Sequence, residues 1–465
     1  MDFSFAPLIC LAFTCITSPL LDLIVKKKEW TAYLNIAGIM GAILFFCAMG
    51  WGKREYLGGL YVVDAFSIFF SLLFLIMALL VALSSLSYVK GSMMRYYVLL
   101  TLATLGMVIV ASTEDLVVLY IALELASNST YVLSGFAKND RLSTEASMKY
   151  FLVGTFSSAI LIFGISFIYG TTLQTNFTKI AQTFSPTPLG MLGIILVVAG
   201  LGFKVASVPF HMWVPDTYEG APTNVTAFLA AVSKKAGFAA LMRLFMVALF
   251  AAKLQWTSLF VILSLLTMTW GNVVALTQKS VKRMLAYSSI AHAGYILIAL
   301  ALGTPYGITA GLFHILAHAF MTAGAFFVVA LAGYTYNIST FEEYASFSRR
   351  APLPAFAMTI FLLSLAGIPP LAGFFGKFYL FMAAIEGGLA WLAVIAILNS
   401  ALSLYYYARV IKYMYLSPAK SQERGQKEKR GVMCAILFSL AATILLGLFP
   451  QPIVDFLRMA AAGLP

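Results

Sequence analysis

Apolar runs of about 20 residues follow one another along almost the whole chain, and that length is what an α-helix needs to cross the hydrocarbon of a bilayer. Of its 465 residues, 61% are hydrophobic and only 10% are charged, where soluble proteins carry roughly 25% charge. The chain therefore reads as an all-α polytopic membrane protein. The runs place about fourteen spans, near 4–25, 32–50, 62–88, 95–112, 115–137, 146–170, 188–208 continuing to 221–232, 234–252, 256–276, 284–303, 306–333, 353–385, 389–416 and 432–457. Proline and glycine interrupt the seventh and the twelfth.

A net charge of +12 would suit nucleic acid, but its distribution argues against that partner. With the N-terminus outside, cytoplasmic loops hold 20 of the 30 basic residues, among them Lys26 to Lys28, Lys90, Lys138, Lys149, Lys282, Arg283, Arg349, Arg350 and seven between Arg409 and Arg430. The outside holds five, Lys53, Arg54, Lys179, Lys253 and Arg458. This is the positive-inside asymmetry of a cell-membrane protein, and it places both termini outside. The first apolar run follows Asp2 rather than a basic segment and ends on Lys26-Lys27-Lys28, so it reads as a retained span and not a cleaved signal. Four scattered cysteines, Cys10, Cys15, Cys47 and Cys434, offer no iron–sulfur, zinc or disulfide framework. The longest polar stretch, Ser417 to Arg430, reads as a solvated loop.

The two interruptions echo one another. Lys204 precedes Pro209, Pro215 and Pro222, while Gly367-Ile368-Pro369-Pro370 precedes Gly373, Gly376 and Lys377. Pro209 and Pro369 are 160 residues apart, about five spans with their loops, and an odd number of spans turns the second unit over. Inverted repeats with one broken helix each are a transporter architecture. They divide the chain into 1–90, with three helices; 91–253, repeat one; 254–416, repeat two; and 417–465, a loop and the last helix.

Ionisable residues inside these spans are the candidate site. A charge at the centre of a membrane helix costs about 2.5–3.5 kcal/mol on insertion scales. Lys204, Lys234, Lys235 and Lys377 all fall within or at the edge of apolar segments, as does Glu124 in Leu119–Leu125. A carboxylate paired with Lys204 would hold both ionised, and separation would favour release of the lysine's proton. Lys234 and Lys235 stand at the start of the eighth span and point about 100° apart. Carbonyls freed near Pro369-Pro370 can stabilise a Lys377 ammonium where lipid cannot. His292, His314 and His318 are relay points or hydrogen-bonded helix contacts; the one-turn spacing of His314 and His318 could also bind metal, but no neighbouring carboxylate or cysteine completes a site. Arg243 reads as structural, pairing with a carbonyl or carboxylate. His211 belongs to a proline-dense turn that can frame a channel mouth. No phosphate loop, dinucleotide fingerprint or nucleophile triad is present.

Gly202-Phe203-Lys204 through Pro209-Phe210-His211-Met212-Trp213 and Pro215-Asp216 to Glu219-Gly220-Ala221-Pro222 resembles the signature of the antiporter-like subunits of respiratory complex I. Leu123-Glu124-Leu125, Ser288 to His292 and Gly373 to Tyr379 are similar to further motifs of that family. The resemblance is to the N-type member. Lys377 stands where the M-type has glutamate, Thr322 where L, M and Mrp types usually carry lysine, and the chain stops soon after its last span, without the L-type lateral helix. His318 departs from the tyrosine frequent in N-type relatives.

The resemblance implies that Glu124 and Lys204 are a coupling pair, Lys234 the central proton carrier, and Lys377 the outlet carrier reached through His292. Lys235 lies outside the family pattern, with its role open, and His314 and His318 are further relay candidates. It also implies a non-redox subunit of a proton-pumping oxidoreductase, NADH:quinone or F(420)H(2) dehydrogenase in type. NADH, reduced coenzyme F420 or ferredoxin, flavin, iron–sulfur clusters and the quinone or phenazine would then belong to other subunits, and no cofactor or metal to this chain. The expected partners are an M-type subunit, small membrane subunits on the quinone side and the lipid bilayer. A cation/proton antiporter subunit of Mrp type, or of a membrane-bound hydrogenase, is the alternative; an inert helix scaffold fits the buried lysines poorly.

Overall fold

A computed structural model describes residues 3–89, 91–418 and 429–464. Asp2, Lys90, Lys420, Arg424 and Lys427, which entered the charge argument, lie outside the described residues. Among the described residues, 13 helices are long and apolar enough to cross a membrane. Two shorter ones, Pro352–Ala366 and Ala372–Glu386, follow each other end to end across residues 367–371.

Polar N-caps start many of the helices. Asp64 accepts from the Ser67 N–H at 2.7 Å to open Ala65–Ser85, and Asp115 accepts from Val117 to open Leu116–Ser134. Thr187, Ser280 and Thr304 do the same for Pro188–Val205, Val281–Leu302 and Pro305–Tyr336. Each side chain satisfies an N–H that the first helical turn leaves without a partner.

Burial sorts the helices into centre and rim. Thr223–Ala248 is buried throughout its most apolar window, and Val281–Leu302 and Pro305–Tyr336 over 94% of theirs, against 28% for Ala6–Ile24 and 39% for Arg430–Leu448. Rim helices turn large apolar side chains such as Ile16, Leu44, Phe156 and Leu398 outward, as lipid contact or neighbouring subunits require.

Three boundaries differ from those expected. The second part of the seventh span and the eighth span are one continuous stretch, Thr223–Ala248, so Lys234 and Lys235 sit at its middle and not at a helix start. The chain passes Ser233 in a π-helical turn, Leu229–Ser233, and a second such turn, Leu244–Ala248, follows. The last span ends at Leu448, and Pro450 opens a separate helix, Pro450–Ala462, because proline favours a first turn over a helix interior. Before the third span, Arg54–Tyr56 and Tyr61–Val63 pair antiparallel, with Arg54 opposite Val63.

Ion pairs gather at the short helix Trp213–Gly220. There Asp216 bridges Lys149 and Arg283, each at 2.8 Å, and Arg283 also reaches Glu219 at 2.8 Å. At the opposite end Arg243 grips Asp64 at 2.7 Å and Glu114 at 3.0 Å, and Lys53 adds a bond to Glu114 at 2.9 Å. Arg243 thus has the carboxylate partners that its buried position calls for.

Candidate functional site

The buried ionisable side chains form a series through the middle of the helix bundle. Glu124, half-buried on Leu116–Ser134, accepts a hydrogen bond from Ser158 and a longer one, 3.5 Å, from Asn128. Lys204 lies in the last turn of Pro188–Val205 and donates to Ser127. Its ammonium also sits 5.4 Å from the ring centre of Tyr131 and 5.5 Å from that of Phe203. Glu124 and Lys204 form no ion pair here; each is held by a serine.

Helix Pro188–Val205 ends at Ala206, whose left-handed backbone (φ 61°) turns the chain out of the helix. Gly237 packs against this end: a Cβ there would stand 2.9 Å from Lys204 Cβ. The stretch carrying Lys234 and Lys235 can therefore lie directly on the turn carrying Lys204. Both central lysines are 1% exposed, yet they face different neighbours. Lys234 donates to Ser289 at 2.7 Å and stands 5.1 Å from the Tyr218 ring centre. Lys235 donates to the Ala230 carbonyl and lies 2.8 Å from His318 Nδ1.

His292, His314 and His318 come together from two helices. His292 Nδ1 and His314 Nε2 are 3.0 Å apart, and the rings of His292 and His318 are 4.6 Å apart between centres. His318 Nε2 is 3.1 Å from the Thr322 hydroxyl, and the Tyr407 hydroxyl is 3.5 Å from His292 Nε2. Among the described residues no group of three or more His, Cys, Asp or Glu side chains is arranged to hold a metal ion.

Beyond the histidines stands Lys377. It donates to the carbonyls of Leu365 (2.8 Å) and Ala366 (3.0 Å) and to the Ser400 hydroxyl (2.8 Å), with the Tyr295 ring centre 5.2 Å away. Those two carbonyls have no helical N–H to bond because the helix stops at Ala366, and Ala366 accepts from the Ser400 hydroxyl as well, at 3.1 Å. Gly367 makes the stop possible: its φ of 92° belongs to the region that only glycine enters cheaply, and a Cβ on it would crowd Lys377 Cδ at 3.1 Å. Three donors thus meet three acceptors around an ammonium with no counter-ion among the described residues.

This arrangement of carboxyl, amine and imidazole groups, linked by hydroxyls inside an apolar bundle, can hold and pass protons. A family model described as NADH:quinone oxidoreductase/Mrp antiporter, TM, matches residues 113–403, which include every one of these carboxyl, amine and imidazole side chains. The chain belongs to this family. It is 48% identical to F(420)H(2) dehydrogenase subunit N of Methanosarcina mazei over 94% of its length and 93% of that protein. It is 44% identical to NADH-quinone oxidoreductase subunit N of Trichlorobacter lovleyi, covering 94% and 91%. A chain of respiratory complex I from Thermus thermophilus superposes on it with a TM-score of 0.84 at 32% identity, covering 97% of this chain and 98% of that one. N-type membership of this antiporter-like family, inferred from Lys377 and Thr322, agrees with these relatives.

Sequence reasoning missed the hydroxyls. Ser127, Ser158, Ser289, Ser400 and Tyr407 each touch a candidate proton carrier, but serine is common throughout these spans and nothing in its local context marks those that face the series. Asp64 and Glu114 were missed too, since both fall at helix starts where acidic residues are ordinary caps.

Proposed function

We propose that this member of the antiporter-like family is the N-type proton-translocating membrane subunit of a complex I-like oxidoreductase. Its work is the movement of protons outward along Glu124, Lys204, Lys234, His292 and Lys377, with Lys235, His314 and His318 as further relay groups. The observation that carries this reading is the four buried lysines, none of which has a carboxylate counter-ion among the described residues. A buried lysine that serves structure alone is expected to sit in an ion pair, as Arg243 does. A carrier has to be stabilised while charged yet remain able to lose its proton, and hydroxyls and carbonyls allow both.

Contacts between the helices support this order. Ser127 connects the Glu124 helix to Lys204, Gly237 packs on Lys204, and the histidines lead from the central lysines toward Lys377. Redox energy released in other subunits, where the flavin, iron–sulfur clusters and quinone or phenazine are bound, shifts the charge on Glu124 and so drives the series. The electron donor is NADH, F(420)H(2) or ferredoxin. An M-type subunit and small quinone-side membrane subunits are the neighbours. Two inverted five-helix repeats, 91–253 and 254–416, place their interruptions and lysines on opposite sides, with both termini outside the cell membrane. Thr322, bonded to His318, supports this reading over an Mrp-type antiporter.

The test is proton uptake by inverted membrane vesicles during electron transfer, with complex abundance measured alongside. Lys234→Met should leave the complex assembled and lower uptake. Unchanged uptake in assembled Lys204→Met, Lys234→Met and Lys377→Met complexes would remove the proposal.

A further inference from the structure

Two adjacent lysines occupy the middle of Thr223–Ala248, and their surroundings divide them. Lys234 meets a hydroxyl and a phenol ring. The Ser289 hydroxyl that receives it donates to the Ala286 carbonyl at 2.8 Å, so this branch ends on backbone. Lys235 meets an imidazole at 2.8 Å, a group that can take a proton and pass it on.

From this difference, and resting on the proton-pumping function above, we infer that Lys235 is the exit of the central site, handing protons to the far half of the chain through His318, with Lys234 as the loading group. The central station is thus two residues with separate tasks.

The hydrogen-bond directions permit a balanced transfer. An ammonium has only donors, so with Lys235 charged His318 Nδ1 is the acceptor, and the neutral ring carries its hydrogen on Nε2, facing Thr322. Transfer of one proton breaks a Lys235 Nζ–H bond and forms His318 Nδ1–H, leaving an amine and an imidazolium. Rotation of that ring about its Cβ–Cγ bond turns the new N–H toward His292, whose ring centre is 4.6 Å away. His292 takes the proton on Nε2, where its contact with the Tyr407 hydroxyl is long at 3.5 Å, and releases its Nδ1 proton to His314 Nε2 across 3.0 Å. His314 is then the imidazolium, and once Lys377 has lost its own proton toward the outlet, the His314 Nδ1–H bond breaks and a Lys377 Nζ–H bond forms, leaving a neutral ring and an ammonium.

The last nitrogen is informative. His314 Nδ1 is buried without a hydrogen-bond partner. A Cβ on Gly376, the residue before Lys377, would stand 2.6 Å from it. An unsatisfied polar atom inside a protein is costly, and here it faces the helix that bears the outlet lysine. No comparable contact leads from Lys234 to the histidines.

The experiment uses the assembled complex in inverted membrane vesicles, measuring proton uptake, electron transfer and complex abundance for Lys235→Arg, Lys235→Met, His318→Gln and, in parallel, Lys377→Met. Arginine keeps the charge and can still donate to His318 but does not release its proton. Uptake should fall about a hundredfold in both Lys235 variants and in His318→Gln, the lower end of what a positioned proton-transfer group contributes. Combining Lys235→Met with His318→Gln should lower it no further, because one branch is lost once. Normal uptake in assembled Lys235→Arg or His318→Gln overturns the inference. Failure of all three single variants to assemble assigns the pair to structure and overturns it as well. If the Lys235 and His318 variants pump normally while Lys377→Met does not, only the branch is lost; normal pumping in Lys377→Met as well counts against the underlying function.

Discussion

Glu124 and Lys204 are each held by a different serine and form no ion pair with each other. The carboxylate accepts from Ser158, while the ammonium donates to Ser127, three residues beyond Glu124 on the same helix. A pair held this way is close enough to feel a change of charge without being locked as a salt bridge, which in an apolar interior is hard to open.

Glu124→Gln should therefore lower proton uptake, and adding Lys204→Met should cost little more, since the two act as a unit. Ser127→Ala should reproduce part of the loss with both charges intact, because it removes the hydroxyl that places Lys204. Uptake in the double variant equal to the product of the two single losses would show that the residues work independently.

Arg243 is tied to Asp64 and Glu114 on two other elements, and both its carboxylates are nearly inaccessible. Arg243→Met leaves Asp64 without its cation and Glu114 with Lys53 alone, and removing one partner of a buried ion pair costs about 3–5 kcal/mol. The expected outcome is a sharp fall in the amount of assembled complex, read on native gels of solubilised membranes. Lys53 is half-exposed, so Lys53→Ala should cost less than about 1 kcal/mol and leave abundance nearly unchanged.

Much of the architecture was legible because lipid removes choice. A backbone without water must be helical, and apolar runs of the right length announce it. The lysines were legible for the same reason: a charge among Leu, Ala and Phe is costly and stands out. What escaped was whatever depends on neighbours distant in sequence. Nothing around Ser127 or Ser400 separates them from a serine such as Ser129, whose hydroxyl bonds the Leu125 carbonyl of its own helix, as the Ser127 hydroxyl also does to Leu123 while it receives Lys204. The continuity of Thr223–Ala248 escaped because π-helical turns have no proline or glycine to mark them. The carbonyls that hold Lys377 could be anticipated in kind from the Gly367-Ile368-Pro369-Pro370 break, but not by residue.

Gly376→Ala tests the approach of Lys377's helix to the histidines. The added methyl would meet His314 Nδ1 at 2.6 Å and His314 Cα at 3.2 Å, so the ring must swing away. Proton uptake should fall while electron transfer into the complex remains measurable and abundance stays near normal. Normal uptake would mean that His314 does not serve Lys377.

Lys377 carries the account most directly, because its ammonium is held by the Leu365 and Ala366 carbonyls and by Ser400, with no carboxylate among its bonded partners. Arginine in its place would stay charged at any accessible pH, whereas lysine can lose and regain its proton. The measurement is proton uptake into inverted vesicles by assembled Lys377→Arg complex, normalised to complex abundance and compared with Lys377→Met. Both variants should assemble and both should pump poorly, with coupled electron transfer falling alongside. Normal pumping by the arginine variant would contradict this, since a fixed charge would then be all that the position requires.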